Sequence, residues 1–324
     1  MKGRQKKVLI TINPMLVEEQ KFSTMRKMLR CLDEHCELQV APISGYDFRR
    51  GKVRTYKLQR GGKFEYTGLV EASADVWIVY SDGFYLDHSR FGFRHRRDYF
   101  QAQLAFHQAQ MQAGRVRLMI NSPEAEVRTL KSWLATLDFK SCRVIPTYSF
   151  SKIEDVFELQ NSLGKIVAKP EWGGASLGIE LLSDEQSVRD FHAKLKKTRG
   201  QSLADFCFQK YCAGDEKRLW FIGGKFHGSR VIRGRETPWS PMTDEFEVES
   251  YDSDWSNGFA RDVAAAERLC QRAGLNVGSV DFIGSRINEI NGGGTVLTTF
   301  RGRELIMDLR PAFVRYILDL LDSM

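Results

Sequence analysis

The chain has 324 residues, of which 42% are hydrophobic and 27% are charged, and its formal net charge is +7. This balance is ordinary for a globular protein and argues against a disordered chain. The length suits two or three packed subdomains. No apolar run approaches the roughly 18 residues that a membrane span needs, so we expect no membrane partner.

The six cysteines show no metal-binding or redox spacing. None forms a C-x-x-C pair, and no Cys/His spacing matches a structural zinc site. We interpret them as reduced, mostly buried thiols of a cytoplasmic protein. The basic N-terminus leads into an apolar stretch that is too short for a signal peptide and that Asn13 and Pro14 interrupt, so a strand is the better interpretation.

Strand-like and helix-like patterns alternate through the first third of the chain. Short apolar or alternating runs predict strands at residues 8–12, 36–41, 75–80 and 116–120. Helical spacing predicts helices at residues 22–34 and 99–113. Residues 47–66 are polar and contain glycine, which predicts a hairpin or a loop. This order indicates an open α/β domain over residues 1–120.

The rest of the chain is predicted as two further units. The expected helices cover residues 124–137, 153–163, 187–197, 262–273 and 304–321, the last one kinked or restarted at Pro311. The expected strands cover residues 165–169, 206–211, 218–222, 228–232, 278–283 and 286–290.

The segment GSVDFIGSRINEINGGGT near the C-terminus has the most informative pattern. Asp281 lies near the end of one predicted strand, and Glu289 and Asn291 lie two residues apart on the next strand, so both face the same side. Three oxygen ligands that converge on one face of a hairpin suit magnesium. The alternative is an exposed strand pair whose polar residues face water.

A second segment, KIVAKPEWGGASLGI, has features of a phosphate site. A strand ends there in Lys169, and a loop with Gly173, Gly174, Ala175 and Ser176 follows. Small residues let backbone N–H groups approach phosphate oxygens, and lysine supplies a point charge. The segment is neither a P-loop nor a dinucleotide fingerprint, and a plain turn remains the alternative.

A third segment, FCFQKYCAGDEKRLWFIGGKFHGSRVIRGRE, combines a strand with several charges. The extended backbone of Gln209–Cys212 could bond an adenine edge, and Glu216 follows at a distance that suits a ribose hydroxyl. Arg218 begins the next strand, and Arg230 and Arg233 end the hairpin. Each arginine also has an interpretation as an ordinary surface charge.

The order of these motifs resembles the ATP-grasp superfamily and, within it, prokaryotic glutathione synthetase. The matching patterns are K-P-x-x-G-G-A-S, Q-K-Y, G-D-E-K-R and D-F-I-G-x-R-I-x-E-I-N, and they are clearest over residues 121–324. The resemblance implies an ATP-grasp fold of α/β (α+β) class. It implies an open α/β pre-ATP-grasp domain at 1–120, a central or lid subdomain at 121–205, and a C-terminal subdomain with the metal and nucleotide site at 206–324.

The resemblance also implies ATP and Mg2+ as cofactors, with one or two metal ions and Mn2+ as a substitute. The matching metal ligands are Asp281, Glu289 and Asn291. The positions that match nucleotide-binding residues are Lys131, Lys169, Gly173, Gly174, Ala175, Ser176, Gln209, Lys210, Tyr211, Cys212 and Glu216. Lys169, Arg218 and Arg233 match catalytic positions, and the substrate-binding set is Arg230, Arg233, Gly293, Gly294 and Thr295.

The resemblance implies a carboxylate–amine ligase that forms an amide, or peptide-like, bond through an acyl phosphate. The chain departs from glutathione synthetase mainly where substrates bind: at Gly292–Thr295, at Glu171–Trp172, and at Arg235, Pro238 and Trp239. These departures favour another small molecule or peptide as substrate. A genuine glutathione synthetase, acting on γ-glutamylcysteine and glycine, remains an alternative, as does a non-catalytic module that binds nucleotide or nucleic acid.

An arginine-rich stretch, YLDHSRFGFRHRRDYF, adds one open question. It contains Arg90, Arg94, Arg96 and Arg97 between aromatic residues, an interleaving that can bind phosphates and bases. The alternatives are a solvated basic loop or helix start, a site for an anionic substrate or peptide, and a nucleic-acid site. Nucleic acid is not the expected partner, and a homo-oligomer is compatible with the sequence.

Overall fold

The computed structural model describes residues 5–12, 14, 23–60, 62–80, 92–93, 95–140, 142–171, 178–198, 201–233, 247–251, 257–293, 297–301 and 304–324. Within these ranges no helix has both the length and the apolar character that crossing a membrane requires. The predicted basic-patch residues Arg90 and Arg94 lie outside the described residues. Arg97 lies exposed near the start of a helix.

The N-terminal sheet contains strands β1 (Lys7–Ile12), β2 (Glu37–Pro42), β3 (Tyr46–Asp47), β4 (Lys52–Leu58), β5 (Phe64–Glu71), β6 (Ala74–Val79) and β7 (Val116–Ile120). Strands β2, β1, β6 and β7 are neighbours in that order and run parallel. Helices α1 (Ser23–Asp33) and α2 (Arg96–Gln112) connect them, so the predicted open α/β arrangement is confirmed. The segment predicted as a hairpin or loop is the antiparallel β4–β5 hairpin.

The next unit begins with two short helices, α3 (Pro123–Val127) and α4 (Lys131–Leu134). The single helix predicted over 124–137 is therefore wrong. Leu130, which lies between the two helices, has an extended backbone with φ −65° and ψ 143°, and this conformation interrupts the helix before α4 begins. Further along the chain lie β8 (Thr147–Ser149), α5 (Ile153–Leu163), β9 (Ile166–Pro170), β10 (Glu180–Leu182), α6 (Glu185–Lys197) and β11 (Phe206–Lys210).

Strands β8–β11 form an antiparallel sheet in the order β10-β9-β11-β8. Helices α5 and α6 cover one face and share an apolar core with it. Asp184 caps α6 by accepting from the backbone N–H of Ser187 at 2.8 Å. Because β11 pairs with β9 and β8, the predicted domain boundary at residue 205 cuts through this sheet, and the change of sheet falls between residues 210 and 216.

A third sheet contains β12 (Glu216–Ile222), β13 (Lys225–Arg233), β14 (Glu247–Tyr251), β15 (Val277–Ile283) and β16 (Arg286–Asn291), with helix α7 (Asn257–Ala273) between β14 and β15. Its order is β14-β13-β12-β15-β16. Its core includes Leu134, Leu137 and Val144, so the chain that follows residue 121 packs partly on this sheet rather than wholly on the central one.

The C-terminus adds β17 (Thr298–Arg301), β18 (Glu304–Asp308) and α8 (Arg310–Asp322). The helix predicted from residue 304 is wrong over its first five residues, which pair with β17. Pro311 lies in the first turn of α8, where its missing N–H costs nothing, but its ring blocks a helix that arrives from upstream. Phe313 and Ile317 of α8 pack in the same core as Val8 of β1.

Candidate active site

The three predicted metal ligands come together on β15 and β16. Asp281 lies opposite Glu289 in the antiparallel register. The Nδ2 atom of Asn291 donates to Asp281 Oδ2 and to Ser279 Oγ, each at 3.3 Å. Burial raises the pKa of Glu289, and the neighbouring Asp281 carboxylate adds to that rise against the opposing charge of Lys131. Two carboxylates, one buried and one half-buried, thus lie side by side.

Arg218 on β12 holds one of these carboxylates. Its Nε and Nη2 atoms donate to Asp281 Oδ1 and Oδ2, each at 2.6 Å, in a bidentate pair. Burial favours the neutral acid, but the Arg218 charge and its hydrogen bonds outweigh burial and lower the pKa of Asp281. Arg218 therefore acts directly on a predicted metal ligand, a contact that the sequence patterns did not predict.

The donor set fits magnesium. It consists of the buried carboxylate of Asp281, the half-buried carboxylate of Glu289 opposite it and an amide oxygen, the hard oxygen ligands that this ion prefers. Asp281 Oδ1 keeps a second lone pair beside its bond to Arg218, whereas Oδ2 also accepts from Asn291. Among the residues that the structure describes, no cluster of three or more His, Cys, Asp or Glu side chains could hold a metal. A cation here would depend on Asn291 and on further ligands such as phosphate oxygens.

Two buried lysines lie beside the acids. Lys169 on β9 is 5% exposed, and its Nζ donates to Asn288 Oδ1 on β16 at 2.5 Å. The pKa of Lys169 is lowered to about 8, mainly by burial and in smaller part by the positive charge of Lys131, while the charge of Glu289 opposes both. Lys131, the first residue of α4, is 7% exposed. Lys131 of α4 and Lys169 of β9 therefore form one charge cluster with the acids of β15 and β16.

The predicted adenine segment is only partly available to a ligand. The backbone N–H groups of Lys210 and Tyr211 donate to the carbonyl oxygens of Pro146 and Lys165, each at 3.0 Å. These two N–H groups are therefore used within the fold and are not available to an adenine edge. The N–H of Cys212 has no hydrogen-bond partner among the described residues. Cys212 thus supplies the remaining backbone donor of this segment.

The side chain of Gln209 is committed to the fold. It is 1% exposed, and its Nε2 donates to Thr147 Oγ1 on β8 and to the Asn288 carbonyl oxygen on β16, each at 2.9 Å. Gln209 therefore joins the central sheet to the third sheet beside Lys169.

The other predicted polar residues line β12 and β13. Glu216 begins β12, and Arg230 Nη2 lies 3.9 Å from its Oε1. Arg230 lies opposite Arg218 in the register, and its charge also lowers the pKa of Asp281. Arg233 is the last residue of β13, and the structure describes its backbone but not its side chain. The predicted residues Gly173, Gly174, Ala175, Ser176, Gly294 and Thr295 lie outside the described residues.

Gly293 lies against the N-terminal domain. Its backbone N–H donates to Glu126 Oε1 at 2.9 Å, and a Cβ atom on it would collide with the carbonyl oxygen of Val79. This close approach explains the glycine, while a role in substrate binding stays a prediction. The sequence patterns missed Glu126 because it lies 167 positions before Gly293, and no local motif links them.

No protein-family model and no curated protein matches the chain. Among solved structures, the ATP-grasp ligase PsnB with a minimal precursor is 17% identical, with a TM-score of 0.62 over 97% of this chain and 98% of PsnB. D-cycloserine synthetase DcsG is 16% identical, with a TM-score of 0.61 over 97% and 99%. D-alanine–D-alanine ligase from Bacillus anthracis, complexed with ATP, is 13% identical, with a TM-score of 0.60 over 97% and 94%. The predicted fold is confirmed: the chain has the fold of the ATP-grasp ligases.

Proposed function

We propose that the protein is an ATP- and Mg2+-dependent ligase that joins a carboxylate to an amine. The observation that carries this proposal is a charge cluster of two cations and two acids, in which Lys131, Lys169 and Asp281 are buried and Glu289 is half-buried. This arrangement suits a nucleotide triphosphate and a divalent ion together. Structures of PsnB with Mg and ADP, and with AMPPNP, support the same choice of cofactors.

Asp281, Glu289 and Asn291 would hold the metal, which supplies positive charge for the nucleotide phosphates. Lys169 and Lys131 bind phosphate oxygens as point charges. Arg218, fixed by its pair with Asp281, adds a preorganised positive charge that faces the transferring phosphoryl group.

The remaining residues recognise the rest of the nucleotide. The Cys212 N–H donates to the adenine edge, and Glu216 accepts from a ribose hydroxyl. Gly173–Ser176 cover the phosphates, and Mn2+ or a second ion can serve at the metal site.

The reaction proceeds in two displacements. A substrate carboxylate oxygen attacks the γ-phosphorus of ATP, the bond to the β-phosphate oxygen breaks, and ADP leaves. The amine nitrogen then attacks the carbonyl carbon of the acyl phosphate, and inorganic phosphate and a proton are released. Orientation of the two reactants in the active site supplies on the order of 7–11 kcal/mol of the reduction in the activation barrier.

The substrate that we propose is a small molecule or a peptide other than γ-glutamylcysteine. Gly293, packed against Val79 and Glu126, together with Gly294 and Thr295, lines the amine site, and Arg230 and Arg233 bind the carboxylate partner. PsnB, which is similar in fold, has been captured with a precursor peptide, and this supports a peptide substrate. Six free cysteines support a reducing, cytoplasmic setting.

The test is release of ADP and phosphate from ATP and Mg2+ across a panel of carboxylates and amines, with γ-glutamylcysteine plus glycine in one well. Glu289→Ala and Arg218→Ala should each abolish substrate-dependent ADP release while the circular dichroism spectrum stays native. Full activity in either variant contradicts the assignment. Glutathione in the γ-glutamylcysteine well establishes the alternative substrate pair. ATP binding without turnover in any well favours a non-catalytic module.

A further inference from the structure

Glu171 is a buried acid that the proposed chemistry does not use. It follows β9 directly, two positions after Lys169, and it is 8% exposed. Its carboxylate accepts from the backbone N–H of Ser132 at 3.0 Å on both oxygens, and Oε1 accepts from the Ser132 hydroxyl at 2.8 Å. The Cys207 thiol donates to Oε2 at 2.6 Å. A buried carboxylate with this many donors has one fixed orientation.

Each contact of Glu171 lies next to a lysine of the nucleotide site. Ser132 follows Lys131 at the start of α4. Cys207 lies opposite Lys169 in the β9–β11 register. The Glu171 backbone N–H also donates to the Asp205 carbonyl oxygen at 2.8 Å, which fixes the main chain just beyond β9. The Glu171 carboxylate, which follows β9, therefore connects α4 to β11 beside Lys131 and Lys169.

The charges explain why such a tie is needed. Lys131 lowers the pKa of Lys169, so the two cations repel each other in the absence of phosphate. Burial raises the pKa of the Cys207 thiol, and the Glu171 charge raises it further, so Cys207 stays a neutral donor rather than a competing anion. The short helix α4 has four residues and little stability of its own, so its position depends on contacts such as those from Glu171.

We propose that Glu171 is a positioning residue that holds Lys131 at a fixed separation from Lys169 and so preorganises the pair for the phosphates of a nucleotide triphosphate. This inference rests on the proposed function, because it assigns both lysines to the nucleotide. Glu171 itself does not touch the nucleotide. It acts through Lys131, by way of the hydrogen bonds to Ser132.

The test is a double-mutant cycle on binding of AMPPNP with Mg2+, measured by calorimetry on the full chain. Glu171→Ala in the otherwise unchanged chain should weaken binding by about tenfold, the effect of about 1.4 kcal/mol of coupling within one hydrogen-bond network. In a Lys131→Ala background the same change should weaken binding by no more than about twofold, because the lysine that Glu171 positions is gone. Glu171→Gln keeps one acceptor oxygen and should restore part of the affinity.

Two controls keep the outcomes distinct. Glu158→Gln, an exposed glutamate on α5 of the same unit, should bind like the unchanged chain. Thermal unfolding identifies a variant that fails to fold, in which case Glu171→Gln replaces Glu171→Ala throughout the cycle. Equal losses in both backgrounds, or no loss in either, overturn the positioning role. Normal binding by both Lys131→Ala and Lys169→Ala overturns the nucleotide assignment itself.

Discussion

At the scale of single residues, the N-terminal domain contains a buried polar chain that no motif marks. The Thr11 hydroxyl accepts from Trp77 Nε1 at 2.9 Å and lies 2.6 Å from the Tyr46 hydroxyl, which lies 3.1 Å from His107 Nε2. His107 is 2% exposed, and burial lowers its pKa from 6.5 to about 3. It is therefore neutral in the folded chain at neutral pH.

This burial predicts a pH dependence of stability. An unfolded chain protonates histidine below about pH 6.5, but the folded chain does not protonate His107 until about pH 3. The contribution of neutral His107 to the free energy of unfolding is therefore fully present above about pH 6.5 and is lost as the pH falls below that value. We expect His107 to cost about 1.4 kcal/mol of unfolding free energy per pH unit below about pH 6.5. Urea unfolding at about pH 7.5 and about pH 5.5 should therefore show a smaller difference in His107→Gln than in the unchanged chain. Equal differences would contradict this assignment.

The residues of the candidate site show what spacing can and cannot predict. The period of a strand predicts that Glu289 and Asn291 face the same side, and the tight turn between the two strands brings Asp281 near them; the register and the hydrogen bonds confirm this proximity. Their ligand roles stay predictions. The contacts of Arg218 and Glu171 could not be predicted, because they join residues far apart in sequence and depend on how three sheets and α4 meet.

At the scale of elements, strongly periodic segments were predicted well. The helix at 153–163 and the strand at 116–120 have the predicted bounds. The failures lie where distant pairing decides the outcome, because a strand is stabilised by its neighbours rather than by its own sequence. Residues 304–308 carry an apolar pattern that also suits a helix, yet they pair with β17, and residues 206–210 join the central sheet.

The start of α8 carries an element-scale prediction. Asp308 Oδ1 accepts from the backbone N–H of Arg310 at 3.1 Å and from its Nε at 2.6 Å, so the carboxylate satisfies a donor of the first helical turn. Asp308→Ala should lower the free energy of unfolding by about 1 kcal/mol, the usual net contribution of a lost hydrogen bond. Urea unfolding measures it, with Asp319→Ala on the exposed face of α8 as the control at less than about 0.5 kcal/mol. Equal losses in the two variants would show that the hydrogen bonds of Asp308 do not stabilise the start of the helix.

At the scale of the whole molecule, the N-terminal and C-terminal sheets share one apolar core. Val8 and Ile10 of β1 pack in the same cluster as Trp220 of β12, Val277 of β15 and Phe313 of α8. The predicted division into three units therefore describes sheets rather than independent cores. A shared core keeps the N-terminal sheet fixed against β15, and β15 carries Asp281, so the candidate site depends on both ends of the chain.

Asn121 is the polar counterpart of that shared core. It follows β7 and is fully buried; its Oδ1 accepts from the backbone N–H groups of Asn276 and Val277 at 2.9 Å, and its Nδ2 donates to the Val277 carbonyl oxygen and to Glu126 at 2.8 Å. Asn121→Ala leaves several of these buried groups without a hydrogen-bond partner, at a cost of about 1–3 kcal/mol each. We therefore expect the free energy of unfolding to fall by several kcal/mol. Ser122→Ala, which removes only the cap of α3, should cost about 1 kcal/mol. We expect both sheets to unfold in one urea transition because the apolar core couples them, and Asn121→Ala should lower the midpoint of this transition without changing its slope. A second transition would mean that Asn121, rather than the core, joins the two halves.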